Sequence, residues 1–369
     1  MRERSRQLLA GLIMLLSLSI LGFGPAALTE SDFGRYRVSP YQADLMAPRS
    51  VPELSARAAL LMDGASETVL YARNEHERLP PASTTKMVTA LVAEAGANLG
   101  DHVLVLSEDL PVGSVMGLSA GEEPSLRELM YGLLLVSDNA VAEIIARHVG
   151  GSYEGFVSEM NTWVQDRGLD DTHFENPHGL DQVNHYSTAH DLAIIARHVM
   201  ESPYLSEVVG TSEQWAASRL LESTNQLLST YPGANGVKTG TTDAAGQCLV
   251  ASARRGQSWA LVVVLGSQDR YADASALLDH YFATCDQASL GLTRSPLTRV
   301  RDAQGDWRRL EVRETARVLV TRWQVDYLRS FLHVESNGLG ATPGEPVGRV
   351  SYYLLGRAVA ELPVYLGAD

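Results

Sequence analysis

Lys86 and Lys238 are the only lysines in this chain; the other 28 of its 30 basic residues are arginines. They occur in 80-PPASTTKMVTALV-92 and 234-ANGVKTGTTDAAG-246. A guanidinium keeps its proton in a protein, whereas an ammonium is a compact charge on a flexible stem and gives up its proton when buried. Both positions therefore point to chemistry that arginine cannot do. Ser83 lies three residues before Lys86 at the start of a helical pattern, so both side chains share one face, with the hydroxyl over the positive end of the helix dipole. A serine becomes a nucleophile when a base is within hydrogen-bond reach. Neutral Lys86 is such a base, although at an ordinary pKa near 10.4 its deprotonation at pH 7 costs about 4–5 kcal/mol. Burial and a second nearby cation lower that cost, and Lys238 supplies the cation.

A Ser-x-x-Lys spacing alone arises by composition about once in a chain this long, and by itself it describes a capped, solvated helix start. Here it is followed by Ser137-Asp138-Asn139 at a break between two helical patterns, where a hydroxyl and an amide two residues apart enter a cleft together. Lys238-Thr239-Gly240 comes next, after the turn-rich 230-TYPGANG-236. Each triplet alone fits an ordinary loop or edge strand, but the three in this order are specific.

The elements that must position these groups are mixed α and β. Residues 58–74 read as two strands around an Asp-Gly turn, and 84–96 as a helix entered after Pro80-Pro81 and ended at Gly96. Helical patterns over 125–136 and 140–149 flank the Ser137 break, and 187–200 begins with a Ser/Thr cap and an acidic first turn. Residues 247–255 and 258–266 read as strands joined by a short turn, followed by a helix over 274–282. Strands, then helices, then strands predict a sheet backed by an inserted helical lobe. From about residue 290, short β-prone runs such as 317-RVLVTRW-323 and 348-GRVSYYLL-355 predict a small β domain without catalytic residues.

The chain's ends and composition bound the setting. A basic start, an apolar run over 8–23 and a Gly-Pro-Ala-Ala break read as a secretory signal over 1–27, the alternative being an uncleaved membrane tether over 8–28. Residues 28–52 read as a linker. A net charge of −14 argues against nucleic acid as a partner. Cys248 and Cys285 are too few for a disulfide scaffold; Cys248 sits in an apolar strand, as a buried small hydrophobe does. No metal or cofactor motif appears, and His76 between Glu75 and Glu77 reads as a solvated turn.

Beyond the triplets, 113-GSVMGLSAGE-122, 177-PHGL-180, 186-YSTAHDLA-193 and 235-NGVKTGTTDAAGQCLVASA-253 resemble the low-molecular-mass, serine-type D-alanyl-D-alanine carboxypeptidases among the penicillin-binding proteins. The resemblance covers roughly 53–285, and more loosely the β-rich 290–369 through 344-GEPVGRV-350. It implies a β-lactamase/transpeptidase-like α/β domain, with an antiparallel sheet flanked by helices, and peptidoglycan stem peptides as substrate with β-lactams as covalent inhibitors. It further implies that Ser83 attacks the D-Ala-D-Ala carbonyl, Lys86 takes its proton, and the amides of Ser83 and Thr241 form the oxyanion hole. Ser137 and Asn139 then relay the proton and hold the substrate amide. Lys238 and Thr239 receive the terminal carboxylate, with Arg270 a further candidate, and Gly240 leaves room for the peptide along its strand.

Asp138 departs from the family pattern, which more often has glycine. Ser-Asp-Asn is the form of class A β-lactamases, which keeps that activity as an alternative, although Glu175 lacks the surrounding E-x-x-L-N motif of their deacylating glutamate. Endopeptidase action on cross-links is a second alternative, and a penicillin-binding sensor without turnover is a third. On the family pattern alone, Asp138→Gly would leave carboxypeptidase activity largely intact.

Overall fold

The computed structural model describes residues 52–110, 114–292, 298–301, 305–321, 324–335 and 344–367. The expected signal or tether and nearly all of the linker lie outside these residues. Among the described residues no helix is long and apolar enough to cross a membrane. They fall into two units, one up to Gln287 and one from Ala288.

The first unit opens with the predicted hairpin, β1 Ala58–Asp63 and β2 Val69–Arg73. A 3-10 turn, Ala82–Thr85, leads into α1 Lys86–Gly96. Then come α2 Leu126–Leu134, α3 Asn139–Gly150, α4 Tyr153–Gln165, α5 Ala189–Glu201 and α6 Pro203–Val209. A small hairpin, β3 Glu213–Ala216 and β4 Arg219–Glu222, and a short α7 Leu227–Thr230 return the chain to the sheet. The sheet is completed by β5 Ala234–Thr242, β6 Gly246–Arg255 and β7 Ser258–Ser267, and covered by α8 Arg270–Thr284.

The sheet order is β2-β1-β7-β6-β5, every pairing antiparallel. In β7 every position from Ser258 to Leu265 is buried, which requires cover on both faces; α5 and α8 both pack on it. The run 259-WALVVVL-265 therefore lacks the polar alternation of a one-sided strand. Strand β5 is one edge of the sheet, and it carries Lys238, Thr239 and Gly240. Helix α1 is buried at each of its first eight residues and packs against α2, α3, α4 and α5. It is largely apolar all round because it is the lobe's axis, with Lys86 and Thr89 its buried polar residues.

Four helices differ from expectation. α4, α6 and α7 have no counterpart in the sequence pattern, and α8 starts at Arg270, capped by Asp269 accepting from the amides of Tyr271 and Ala272, instead of at Ala274. Cys248 and Cys285 are both buried and both free, and His76 is exposed.

In the second unit β9 Arg299–Arg301, β10 Trp307–Glu311, β12 Leu328–Val334, β13 Gly348–Leu354 and β14 Arg357–Leu366 form a sheet ordered β12-β13-β14-β10-β9. Strand β8 Cys285–Leu290 pairs with β11 Ala316–Thr321. Leu310, Val347, Val350, Tyr352, Leu362 and Val364 are among its core.

Candidate active site

Where the 3-10 turn ahead of α1 meets the edge strand, a cleft of about 430 Å3 is lined by Ser83, Ser137, Thr224, Gln226, Thr239, Gly240, Thr241, Gln247, Arg270 and Tyr271. Six of the nine residues expected from the sequence reach it directly. The other three stand just behind its wall: Lys86 is 0% exposed and Lys238 1%, and Asn139 reaches Lys86.

Lys86 has three partners. Its Nζ lies 2.7 Å from Asn139 Oδ1, 2.7 Å from the His178 carbonyl oxygen and 3.1 Å from Ser83 Oγ. Burial, with the Lys238 cation adding to it, holds its pKa well below that of a free lysine, while Asp138 opposes the shift. A neutral amine has two N–H donors and one lone pair. The two close acceptors take the donors, and the lone pair is left facing the serine hydroxyl, which is the arrangement a general base needs.

The 3-10 turn that carries Ser83 is fixed from three sides. Ala82 takes a left-handed φ of 50°, a conformation that costs a non-glycine residue about 1–3 kcal/mol and persists only under external support. Thr85 Oγ1 donates to the Ala82 carbonyl and takes a 2.8 Å hydrogen bond from His185 Nε2. His185 Nδ1 accepts from the Glu175 amide, so the ring is neutral; burial pushes its pKa down to about 3. Gly179 closes the third side at φ 91°, where a Cβ would stand 1.9 Å from the Ala82 carbonyl oxygen. Gly179→Ala is therefore expected to move either the Ser83 turn or the His178 carbonyl that holds Lys86. A displacement of about 1 Å costs on the order of 100-fold in rate, to be read as slower β-lactam acylation in a variant with unchanged circular dichroism.

Ser137 also has a left-handed backbone, φ 61°, which turns its hydroxyl toward the cleft between the end of α2 and the start of α3. Asp138 holds that break. One carboxylate oxygen caps α3 through the amides of Ala140 and Val141, at 2.8 and 3.4 Å, and the other accepts from the Met116 amide at 2.8 Å and from Ser114 Oγ. The family comparison treated Asp138 as a near-silent departure, but four hydrogen bonds on a side chain 1% exposed give it a structural task. Asp138→Gly weakens the cap by only roughly a few tenths of a kcal/mol, since glycine is itself a fair N-cap, but strands a buried amide, about 1–3 kcal/mol. The expected loss of about 1–3 kcal/mol is measurable as a fall of several degrees in Tm.

On the opposite wall, Lys238 Nζ donates to the Thr239 carbonyl at 3.1 Å, and burial with the neighbouring Arg270 brings its pKa down to about 7. Thr239 Oγ1 is 2.7 Å from Thr224 Oγ1. Gly240 is also needed for packing. A Cβ there would meet the Ser83 amide nitrogen at 2.9 Å and Ala82 Cβ at 3.0 Å, so glycine lets β5 dock against the nucleophile's turn. Arg270 is also more occupied than expected. Its Nη1 donates to the Gly240 and Cys248 carbonyls, its Nε to Gln247 Oε1 and its Nη2 to Thr241 Oγ1. Of five guanidinium donors, one remains for a ligand, so Arg270 chiefly braces the β5 edge.

Residues 175–185 were missed as a functional segment. Only 177-PHGL-180 and Glu175 had drawn notice there. Glu175 spends its carboxylate on Asn184, accepting from its amide at 3.0 Å, and is therefore committed to the loop instead of to a water near Ser83.

The family of D-alanyl-D-alanine carboxypeptidases matches residues 46–269. The chain is 29% identical over 374 residues to the D-alanyl-D-alanine carboxypeptidase DacF of Bacillus subtilis, covering 96% of this chain and 93% of that one. It is 30% identical to DacC of Escherichia coli, over 85% and 84% of the two chains. Among solved structures it is similar to penicillin-binding protein 5 of Haemophilus influenzae, with a TM-score of 0.68, 27% identity, and 87% and 99% of the chains covered. The lysine–serine pair, the cleft built around it and these similarities lead to one assignment: the chain belongs to the D-alanyl-D-alanine carboxypeptidase family of serine peptidases.

Proposed function

We propose that the first unit carries the whole reaction, removing the terminal D-alanine from peptidoglycan stem peptides outside the cytoplasm, with β-lactams as covalent inhibitors. The observation that supports this most is the Lys86 amine, held by Asn139 and His178 so that its free lone pair faces Ser83 Oγ.

In the forward half-reaction Lys86 takes the Ser83 proton while Oγ bonds to the penultimate D-alanine's carbonyl carbon. The charge that develops on the carbonyl oxygen falls to the amides of Ser83 and Thr241. Ser137 passes the proton to the leaving amine, and the C–N bond breaks, releasing D-alanine and leaving an ester on Ser83. Asn139 steadies the substrate amide, and Lys238 with Thr239 takes the terminal carboxylate. Water then attacks the ester with Lys86 again as base, freeing the shortened peptide.

The deciding experiment incubates the protein with a D-Ala-D-Ala stem peptide and, separately, with a chromogenic cephalosporin. Free D-alanine with a slowly released cephalosporin adduct supports the carboxypeptidase. Rapid repeated cephalosporin turnover without D-alanine overturns it in favour of a β-lactamase, against which the Glu175–Asn184 pairing already counts.

A further inference from the structure

The two units differ sharply in charge. Residues 48–287 hold 14 basic against 31 acidic residues, whereas residues 288–369 hold eleven arginines against nine acidic residues. The arginines are not scattered evenly. At one edge of the second sheet, β9 pairs antiparallel with β10, setting Arg301 opposite Trp307 and Arg299 opposite Arg309. Because side chains alternate along a strand, these four residues share one face, while Val300 and Leu310 on the other face pack into the core. All four are exposed, and Trp307 is 58% exposed. The Arg301 guanidinium sits 5.2 Å from the centre of the Trp307 ring. None of the three arginines is ion-paired with a described carboxylate; the nearby Glu311 pairs with Arg313.

Charged side chains on an edge strand guard against sheet-to-sheet aggregation, which accounts for the arginines but not for an exposed tryptophan among them. Indole and guanidinium together suit a boundary that is apolar on one side and anionic on the other: tryptophan concentrates at membrane interfaces, and guanidinium pairs with phosphate oxygens two at a time. The patch lies on the outer face of the sheet's edge pair of strands, and Arg301 covers one face of the ring that a sugar would need for stacking. We propose that this face, Arg299, Arg301, Trp307 and Arg309, docks on an anionic phospholipid surface. The strongly acidic first unit is repelled by the same surface, so the attraction is local to the second unit.

The test uses the full chain with vesicles of equal parts phosphatidylglycerol and phosphatidylcholine, and with vesicles of phosphatidylcholine alone, both carrying brominated lipid. Subtracting the signal of Trp307→Phe isolates Trp307 emission. Docking predicts quenching of Trp307 on the anionic vesicles only. Quenching should be lost in about 1 M salt, where the screening length falls to roughly 3 Å, and lost in Arg299→Gln/Arg301→Gln. Arg299→Lys/Arg301→Lys, which keeps the charge, should retain most of it and shows that the sheet tolerates change there. Quenching that is equal on neutral vesicles, or unchanged in the glutamine variant, overturns the proposal, as does preferential binding of Trp307 to isolated peptidoglycan with no response to lipid.

Discussion

Lys86→Arg is expected to lower acylation by a β-lactam or a D-Ala-D-Ala peptide by about 10³–10⁴, although the positive charge is retained. General-base assistance is worth about 10²–10⁴, and arginine loses all of it because its guanidinium keeps its proton. A planar fork also does not fit the three-point cradle of Asn139 Oδ1, the His178 carbonyl and Ser83 Oγ. Stopped-flow acylation measures the loss, and a wild-type rate in this variant would rule Lys86 out as the base. The pH profile is a second readout. In the native protein acylation should rise as Lys86 loses its proton, which burial and Lys238 bring well below the pH at which a free lysine does so. Lys238, brought down to about 7, must keep its proton to attract a carboxylate. Peptide turnover should therefore fall on the alkaline side, giving a bell whose two limbs belong to two lysines. Lys238→Arg should flatten the alkaline limb, since arginine stays charged throughout.

Ser83→Ala is expected to abolish the covalent adduct outright. Without Oγ there is no atom for the acyl group, so mass spectrometry after penicillin treatment should show the unmodified mass at any exposure time. The neighbouring wall should persist, because the atoms nearest to where a Gly240 side chain would stand are the Ser83 amide nitrogen, Ala82 Cβ and the Pro81 carbonyl oxygen, all of which the variant keeps. The variant should therefore still bind stem peptide reversibly through the β5 edge, with no D-alanine released. Adduct formation in Ser83→Ala would move the nucleophile elsewhere, Ser137 being the next hydroxyl in the cleft.

Much of this architecture could be read ahead of the coordinates where side-chain type and spacing carry the signal. The hairpin of β1 and β2, the helix after Ser83, the break at Ser137 and the paired β6 and β7 each have their own periodicity or turn residues. α4 escaped because its buried stripe is three residues wide, Phe156, Met160 and Val164, in an otherwise polar stretch whose only start signal is the Ser152 cap. The start of α8 escaped because Asp269 and Arg270 resemble a loop until the cap is seen. At the site, the Ser83–Lys86 pair, proposed above as nucleophile and base, was legible as residue types. The third partner of Lys86 was not, since it is a backbone carbonyl and any residue supplies one. What singles out His178 is its position beside Gly179, where the loop comes against Ala82, a fact of packing that no local pattern carries.

The burial of both lysines has a consequence for surface chemistry. With Lys86 0% and Lys238 1% exposed, and no other lysine in the chain, the folded protein offers no side-chain amine to an acylating label; only the chain's amino terminus remains. Amine-directed dyes, cross-linkers and immobilisation resins should spare both lysines while the first unit is native. Uptake of such a reagent at Lys86 or Lys238 then reports that the first unit has opened, so the two buried lysines double as an internal gauge of its unfolding.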